Sequence, residues 1–458
     1  MGKLWGGRFE KKEIHPRVME FTSSIDVDKI LAKYDCISSK VHVEMLGKCG
    51  YVSPEEKQVL VGVLDELLER IEEGQVDFGK HEDIHSAIQT YVEEKAPDAA
   101  KKMHTGRSRN EQVVNDMRLY CKDAIGSIAG LIQALQQGLV ELAEKTIDVI
   151  IPGYTHMNRA QPILFSHLIM AYVEMIERDR ERLEDAKKRC DVSVMGSGAI
   201  AGSSLDLNRK FVSESLGFKA VSANSIDSVS DRDFIAEIVA ALGLIGVHLS
   251  RISEDLILYS VAEFGFLEIG DDYCTGSSLM PQKRNADVLE LVRGRSSRVI
   301  GALSSLLVLL KGLPHSYNRD LQEDKKYLFE SVELIASELA IMSDLMKTVK
   351  LKKKEAAEKL EDEFIYATDL AEYLVRKGVP FKDAHWIIGD IVKHCVGKNI
   401  NISDLSISEL KGFSEKLDED VYGYLNPETS VNMKKTQGSS NPDLVKKEIA
   451  SWKKKLKA

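Results

Sequence analysis

Residues 230–264 read SDRDFIAEIVAALGLIGVHLSRISEDLILYSVAEF. The middle is apolar on nearly every face of a helix, with Ala240, Ala241, Leu242, Leu244, Ile245 and Val247 around Gly243 and Gly246. A helix that is hydrophobic all round has to be covered on all sides, and its small residues let neighbours come close. One subunit has few ways to bury such a helix completely, so the stretch predicts a helical bundle shared between several copies of the chain.

Proline spacing carries that reading outward. No proline occurs between Pro97 and Pro152 or between Pro162 and Pro281, and afterwards only Pro314 and Pro380 precede the C-terminal part. Long helices are permitted there. They are also indicated, because Ile125, Ile128, Ile132, Leu135, Leu139, Leu142 and Ile147 recur at helical spacing, as do Leu289, Val292, Val299, Leu303 and Leu307. An ordinary helix is marked by Ser53 as N-cap, Pro54 at the first position, Glu56 as partner of the cap, and Gly74 as terminator. No segment reads as a convincing strand. The expected fold is all-α: a long central helical bundle over 106–360, flanked by a smaller N-terminal region, 1–105, and a small helical C-terminal region, 361–458. The opening stretch, Leu4 to Phe9, reads as an irregular segment docked on something larger.

With 458 residues, 43% hydrophobic and 29% charged, the composition is that of a soluble globular protein. A formal charge of -10 argues against a nucleic-acid surface but leaves room for a local cationic pocket serving an anionic substrate. The start lacks the apolar core of a signal peptide, and no segment reads as an uninterrupted membrane span, so a cytoplasmic protein without a membrane partner is expected. Cys36, Cys49, Cys121, Cys190, Cys274 and Cys395 show no C-x-x-C spacing, and reduced structural thiols are the reading for all six. Cys274, although near a polar loop, is taken as a bystander.

Polar strings interrupt this helical background. GSSLMPQKRN, Gly276 to Asn285, follows the turn-prone Gly270-Asp271-Asp272 and reads as a loop held between long helices. Ser277, Ser278, Gln282, Lys283 and Asn285 bring donors and Lys283 and Arg284 bring charge, a set suited to carboxylates or phosphates. A serine acting as base needs its alkoxide stabilised by a cation or by oriented N–H dipoles, and Lys283 and the loop backbone can supply either. MHTGRSRNEQ, Met103 to Gln112, offers Ser108 as a helix cap and two arginines near a helix start, where anions are favoured. PGYTHMNRAQP, Pro152 to Pro162, places His156 after a Pro-Gly turn. LPHSYNRDLQEDK, Leu313 to Lys325, reads equally well as a charged interhelical connection. Phe21 to Asp28 reads as a capped helix entrance, with Ser23 and Asp26 as caps. His81 and His85 stand four apart as metal ligands do, yet no third ligand is signalled. Gly196 to Gly202 imitates a dinucleotide fingerprint but lacks a surrounding βαβ unit.

Taken together the strings resemble the fumarase/aspartase superfamily, whose loops read G-S-S-x-M-P-x-K-x-N and whose other motifs include H-T-G-R-S-R-N-D-Q and G-Y-T-H-x-x-x-A-Q-P. Leu279, Gln282 and Arg284, at the variable loop positions, look most like the argininosuccinate lyase branch. The chain departs from the pattern at Glu111, where aspartate is usual, at Ala286, where proline is usual, and at Ser203-Ser204, where some members have Asn-Pro. The similarity continues through Ala367-Thr368-Asp369-Leu370 and Gly378-Val379-Pro380-Phe381. It implies elimination of argininosuccinate to L-arginine and fumarate, a step of arginine biosynthesis, through a carbanion-like intermediate. It also implies a homotetramer whose sites each draw on three subunits, with no metal and no organic cofactor. Ser277, near Lys283, is the candidate base, and His156, oriented by Glu290, the candidate acid; the opposite assignment stays open. Arg109, Asn110, Thr155, Lys283 and Asn285 would hold the carboxylates, with Ser24 beside them, while Tyr317, Gln322 and Lys325 would hold the amino-acid end. Two other readings are an adenylosuccinate lyase-type enzyme, opposed by Gln282 and the Tyr317 to Lys325 string, and a catalytically silent, crystallin-like member, opposed by retention of His156, Ser277, Lys283 and Glu290.

Overall fold

The computed structural model describes residues 15–79 and 81–457, so the stretch 4–9 lies outside the described residues. The all-α expectation holds. Among the described residues five long helices dominate: Arg109–Lys145, Phe165–Cys190, Asp233–Ser260, Asp287–Leu310 and Asp324–Met346. The first three occupy the proline-free stretches. Ile125, Ile128, Ile132, Leu135 and Leu139 are buried as their spacing requires, while Ile147 falls two residues beyond its helix. The helix Pro54–Glu72 starts with the predicted capping box, Ser53 and Glu56 each bonding the other's backbone amide. It ends before Gly74, whose φ of 70° is the left-handed conformation glycine adopts without strain.

The chain divides into two compact units. The first comprises the described residues of Met1–Ala129, with Asp179–Ile245 and Ser296–Ala336. Here Ala32–Lys48 packs along Pro54–Glu72, with Ile84–Lys95 and Pro97–Met103 against them. Tyr120 meets Tyr34 and Phe329 edge to face, with ring centroids 5.8 and 4.7 Å apart. The wholly buried Arg232 and Asp324 form an ion pair, which removing either partner would break at a cost of roughly 3–5 kcal/mol.

The second unit comprises Gly130–Arg178, Gly246–Arg295 and Ser337–Ala458. Its C-terminal part has a core of its own, with Leu370, Leu374, Ile388, Ile391, Leu410 and Val421 buried together. Tyr259 packs against Tyr154, Phe264 and Phe266.

Strands are present where the sequence showed none. Among the described residues four two-stranded pairs occur, and the longest is the antiparallel hairpin Ile150–Thr155 with Asn158–Leu164. By length and the composition of its apolar window alone, the Asp233–Ser260 helix could cross a membrane. Yet 67% of that apolar window is buried inside the protein, and its apolarity serves packing.

Candidate active site

The first unit gathers one set of the expected residues. Ser24 precedes the short helix Ile25–Asp28, and its hydroxyl donates to Asp28. Neither Ser23 nor Asp26 caps the helix entrance as expected: Ser23 ends the helix Pro16–Thr22 and Asp26 lies inside Ile25–Asp28, while Ser23 Oγ donates to the Glu82 carbonyl at 3.2 Å and the Ser24 amide reaches the same oxygen at 2.9 Å. From the Leu313–Lys325 string, Gln322 Nε2 donates to the Thr22 carbonyl at 3.3 Å, and Lys325 Nζ lies 3.9 Å from Asp28 Oδ1. Arg319 joins them, donating at 2.7 Å both to the Thr22 carbonyl and to Glu82. Tyr317 is half-buried beside Ser316, which has a φ of 87°. Strings some 300 residues apart therefore meet around Ser24.

Asp83, next to Glu82, extends this group to the second string. Its Oδ1 accepts from Arg109 Nη1 at 2.6 Å and from the Ser86 amide at 2.7 Å, capping the helix Ile84–Lys95. Burial raises the Asp83 carboxyl, but Arg109, His85 and the Ser86 amide outweigh it and leave it lowered to about 2. Arg109 and Asn110 open the helix Arg109–Lys145, and Asn110 Nδ2 donates to the Ala199 carbonyl at 3.0 Å. Ser108 Oγ accepts from the Asn110 amide, as the cap reading required. Glu111, fully buried, accepts from the amides of Ser108 and Gly198, each at 3.0 Å. The longer side chain that departs from the family pattern thus ties the two turns together.

His85 finds no partner in His81. It lies with Asp35 and Asp116, a buried group whose ligand atoms fall within 4.8 Å of one another and so could hold a metal. The sequence hid this group because its other members come from helices far along the chain. His85 Nδ1 bonds Asp35 Oδ2 at 2.7 Å, and the charge of buried Arg107 bears on both carboxylates. Burial and the neighbouring Asp35 push the Asp116 carboxyl well up. A guanidinium beside two carboxylates makes this an ion-pair network already supplied with cationic charge.

The second unit carries the remaining residues. Pro152-Gly153 is not the turn that the sequence suggested. Both residues lie in the first hairpin strand, where the register shifts between Pro152 and Tyr154 and Pro152 stands opposite Pro162. A side chain at Gly153 would come within 3.0 Å of the Gln161 carbonyl. The turn itself is His156-Met157, with φ of 53° and 62°, two positive values as in a type I′ turn. Backbone conformations that cost energy in non-glycine residues concentrate at functional sites. Here His156 and Thr155 are presented at an exposed tip.

Gly276 to Asn285 forms the expected loop between long helices, closed at its base by Thr275–Gly276 pairing antiparallel with Arg284–Asn285. Ser277 Oγ accepts backbone amides from Leu279 at 3.3 Å and Met280 at 3.0 Å. Lys283 is exposed, its amide bonded to the Met280 carbonyl at 3.0 Å. Arg284 pairs with Asp271 at 2.8 Å. Burial pushes the Cys274 thiol up against the opposing pull of Arg284, which leaves it a poor nucleophile. Glu290 is exposed in the first turn of Asp287–Leu310. Among the described residues, no hydrogen bond or ion pair joins Glu290 or Ser277 to His156. Neither of two cavities in this unit, about 570 and 650 Å³, is lined by any of these residues.

The arrangement of long helices recurs in lyases of known structure. The fold agrees: EDDS lyase in complex with formate superposes with a TM-score of 0.82 at 24% identity, covering 98% of this chain and 91% of that one. Class II fumarase from Schistosoma mansoni superposes at 0.77 with 14% identity, covering 91% and 93%. A lyase family model matches residues 7–301, and the argininosuccinate lyase C-terminal model matches 364–432. Argininosuccinate lyase from Pelotomaculum thermopropionicum is 46% identical over 100% of this chain and 99% of its own length; that from Oceanobacillus iheyensis is 43% identical with the same coverage. The chain belongs to the argininosuccinate lyase family. It is a carbon–nitrogen lyase that releases fumarate and L-arginine from argininosuccinate.

Proposed function

We propose that Ser277 removes the proton from the carbon beside the substrate carboxylate and that His156, with Glu290, protonates the departing guanidino nitrogen. That proton is weakly acidic, so the base must be matched by donors that stabilise the growing negative charge. One observation carries the assignment: the Ser277 oxygen already receives two backbone N–H groups, a setting that stabilises an alkoxide. Lys283 and Asn285 on the same loop, with Thr155, Arg109, Asn110 and Ser24, bind the carboxylates. Tyr317, Gln322 and Lys325 bind the amino-acid end. The reverse order, with His156 as base, differs in its response to substitution. Ser277→Ala is expected to lower kcat by about 10²- to 10⁴-fold while argininosuccinate still binds; substantial residual turnover would reject the assignment.

The working form in this reading is a cytoplasmic homotetramer in which Ser277, His156 and the Arg109 set come from different copies, with regions 1–105 and 361–458 flanking the shared bundle. Supporting it, the long helices keep apolar side chains exposed: Ile300, Leu307 and Val308 on Asp287–Leu310, and Leu244 on the all-apolar helix. Exposed apolar rows on bundle helices are what a second copy covers.

A further inference from the structure

His156 stands on a turn that its own residues do not favour. Turns with two positive φ values normally carry glycine or asparagine, yet here the pair is His156-Met157, at 53° and 62°. Such conformations persist only where the surrounding structure over-determines them. Nor does the imidazole hold itself in place: among the described residues no hydrogen bond joins the His156 ring to another group of the chain. Its position is therefore set by the backbone beneath it, and whatever fixes that backbone bears on the chemistry.

Two rungs of the hairpin lie directly below the turn. In the first, Thr155 stands opposite Asn158, and Asn158 Nδ2 donates to the His156 carbonyl at 3.1 Å. In the second, Tyr154 stands opposite Arg159, and residues directly opposite in an antiparallel pair put their side chains on one face. Each of these two is tied elsewhere. The Tyr154 ring packs edge to face on Phe264, 5.2 Å between centroids, just past the end of the helix Asp233–Ser260. Arg159 Nη1 donates to Asp362 Oδ2 at 3.3 Å. Burial raises the Tyr154 hydroxyl and the Arg159 guanidinium opposes that rise, so one cation bears on both its neighbour in the rung and the distant carboxylate.

Asp362 is itself fixed. Its Oδ1 accepts the Phe364 amide at 3.2 Å, capping the short helical turn Glu363–Tyr366. Ile365 and Tyr366 of that turn are buried with Leu360, and Ile150, at the start of the hairpin, packs against them. One carboxylate thus anchors a turn of the C-terminal region with one oxygen and the Arg159 guanidinium with the other. An aromatic contact tolerates sliding, whereas a charge-assisted hydrogen bond fixes one atom against another. The ion pair is therefore the part that defines where the rung sits.

We propose that Arg159 and Asp362 are positioning residues for the elimination: their ion pair ties the strand that follows His156 to the C-terminal region and so places the imidazole at the departing nitrogen. The proposal rests on the assignment of His156 as the acid. It gives the C-terminal region, which holds no residue assigned to substrate or catalysis, a part in the reaction.

With its side chains 38% and 34% exposed, the pair adds little to stability, so its loss should leave folding intact and appear in turnover. Asp362→Asn keeps a cap for the Phe364 amide and loses the charge. It should lower kcat by about tenfold, with KM for argininosuccinate within about twofold and the urea midpoint unchanged, because a small misplacement of a reacting group is costly. Arg159→Met should do the same from the strand side, and it carries the test if Asp362→Asn fails to fold. Arg159→Lys keeps the charge and should hold kcat within about threefold. The decisive readout is made in His156→Asn chains. With the acid gone its placement no longer matters, so adding Asp362→Asn or Arg159→Met should cost less than about twofold there, whereas a merely structural loss would multiply. Wild-type kcat in Asp362→Asn and Arg159→Met, or the full tenfold loss repeated in the His156→Asn background, would overturn the proposal and leave the His156 assignment in place. Near-wild-type turnover by His156→Asn itself would remove the assignment and the proposal with it.

Discussion

Arg109 Nη1 donates to Asp83 Oδ1 at 2.6 Å, and that same oxygen caps the helix Ile84–Lys95. One carboxylate thus fixes a helix start and the direction of a guanidinium assigned to substrate. Asparagine caps as well as aspartate does, so Asp83→Asn should leave the helix content unchanged. The loss of ionic hold on Arg109 should raise KM for argininosuccinate by about tenfold with little change in kcat. The Asp83 carboxyl, lowered to about 2 from an ordinary 3.8, favours the pair fully above pH 3.8, and that contribution is lost only as pH falls from there toward 2. The effect of the substitution should therefore be constant from about pH 5 to 9. An unchanged KM, measured in a steady-state titration, would separate Arg109 from substrate binding.

Acid should weaken the protein through a different group. Burial and the charge of Arg107 lower His42 to about 3 from an ordinary 6.5, against the opposing bond to the Thr105 carbonyl. Below pH 6.5 the unfolded chain takes up a proton that the folded chain refuses until about pH 3. Stability is therefore fully present above pH 6.5 and falls across that window, by about 1.4 kcal/mol per pH unit for each such site. His104 is held down in the same way, by burial and Arg107. Urea unfolding midpoints between pH 8 and 5 should fall more steeply for wild type than for His42→Gln. Identical slopes would contradict the assignment.

The hairpin turn stores a cost that can be relieved. Met157 sits at a φ of 62° and is 61% exposed, and an L-residue there gives up roughly 1–2 kcal/mol. Met157→Gly should raise the urea midpoint while leaving turnover within about twofold of wild type, because the residue before it carries the chemistry assigned to the turn. A lower midpoint would show that the Met157 side chain is held by contacts in the assembly.

How far these features could be read from sequence depends on whether they leave a local signal. The long helices do, through proline-free stretches and recurring apolar positions, and so does the capping box at Ser53. The serine loop was legible as a loop from its glycine, serines and proline. The hairpin was not: its turn is His-Met instead of the glycine or asparagine that turns of positive φ normally carry, and its strands contain two prolines. Asp83 and Arg319 act through partners 26 and 237 residues away, and the buried Arg232–Asp324 pair spans 92. Such separations leave no periodic trace.

Shared sites make a prediction about mixed assemblies. If the working form is the proposed homotetramer and the Ser277 loop and the Arg109 set of one site come from different chains, co-expressed Ser277→Ala and Arg109→Ala chains will form hybrids in which some sites contain neither substitution. Activity should then reappear, although each variant alone lacks it. Hybrids that stay inactive, with mixed composition verified by native mass spectrometry, would place both parts of a site on one chain.

The most direct measurement is fumarate release. Purified protein mixed with argininosuccinate should produce fumarate absorbance with an equal amount of L-arginine, while adenylosuccinate under the same conditions should yield none. No fumarate from argininosuccinate, or fumarate from adenylosuccinate in its place, would contradict the account.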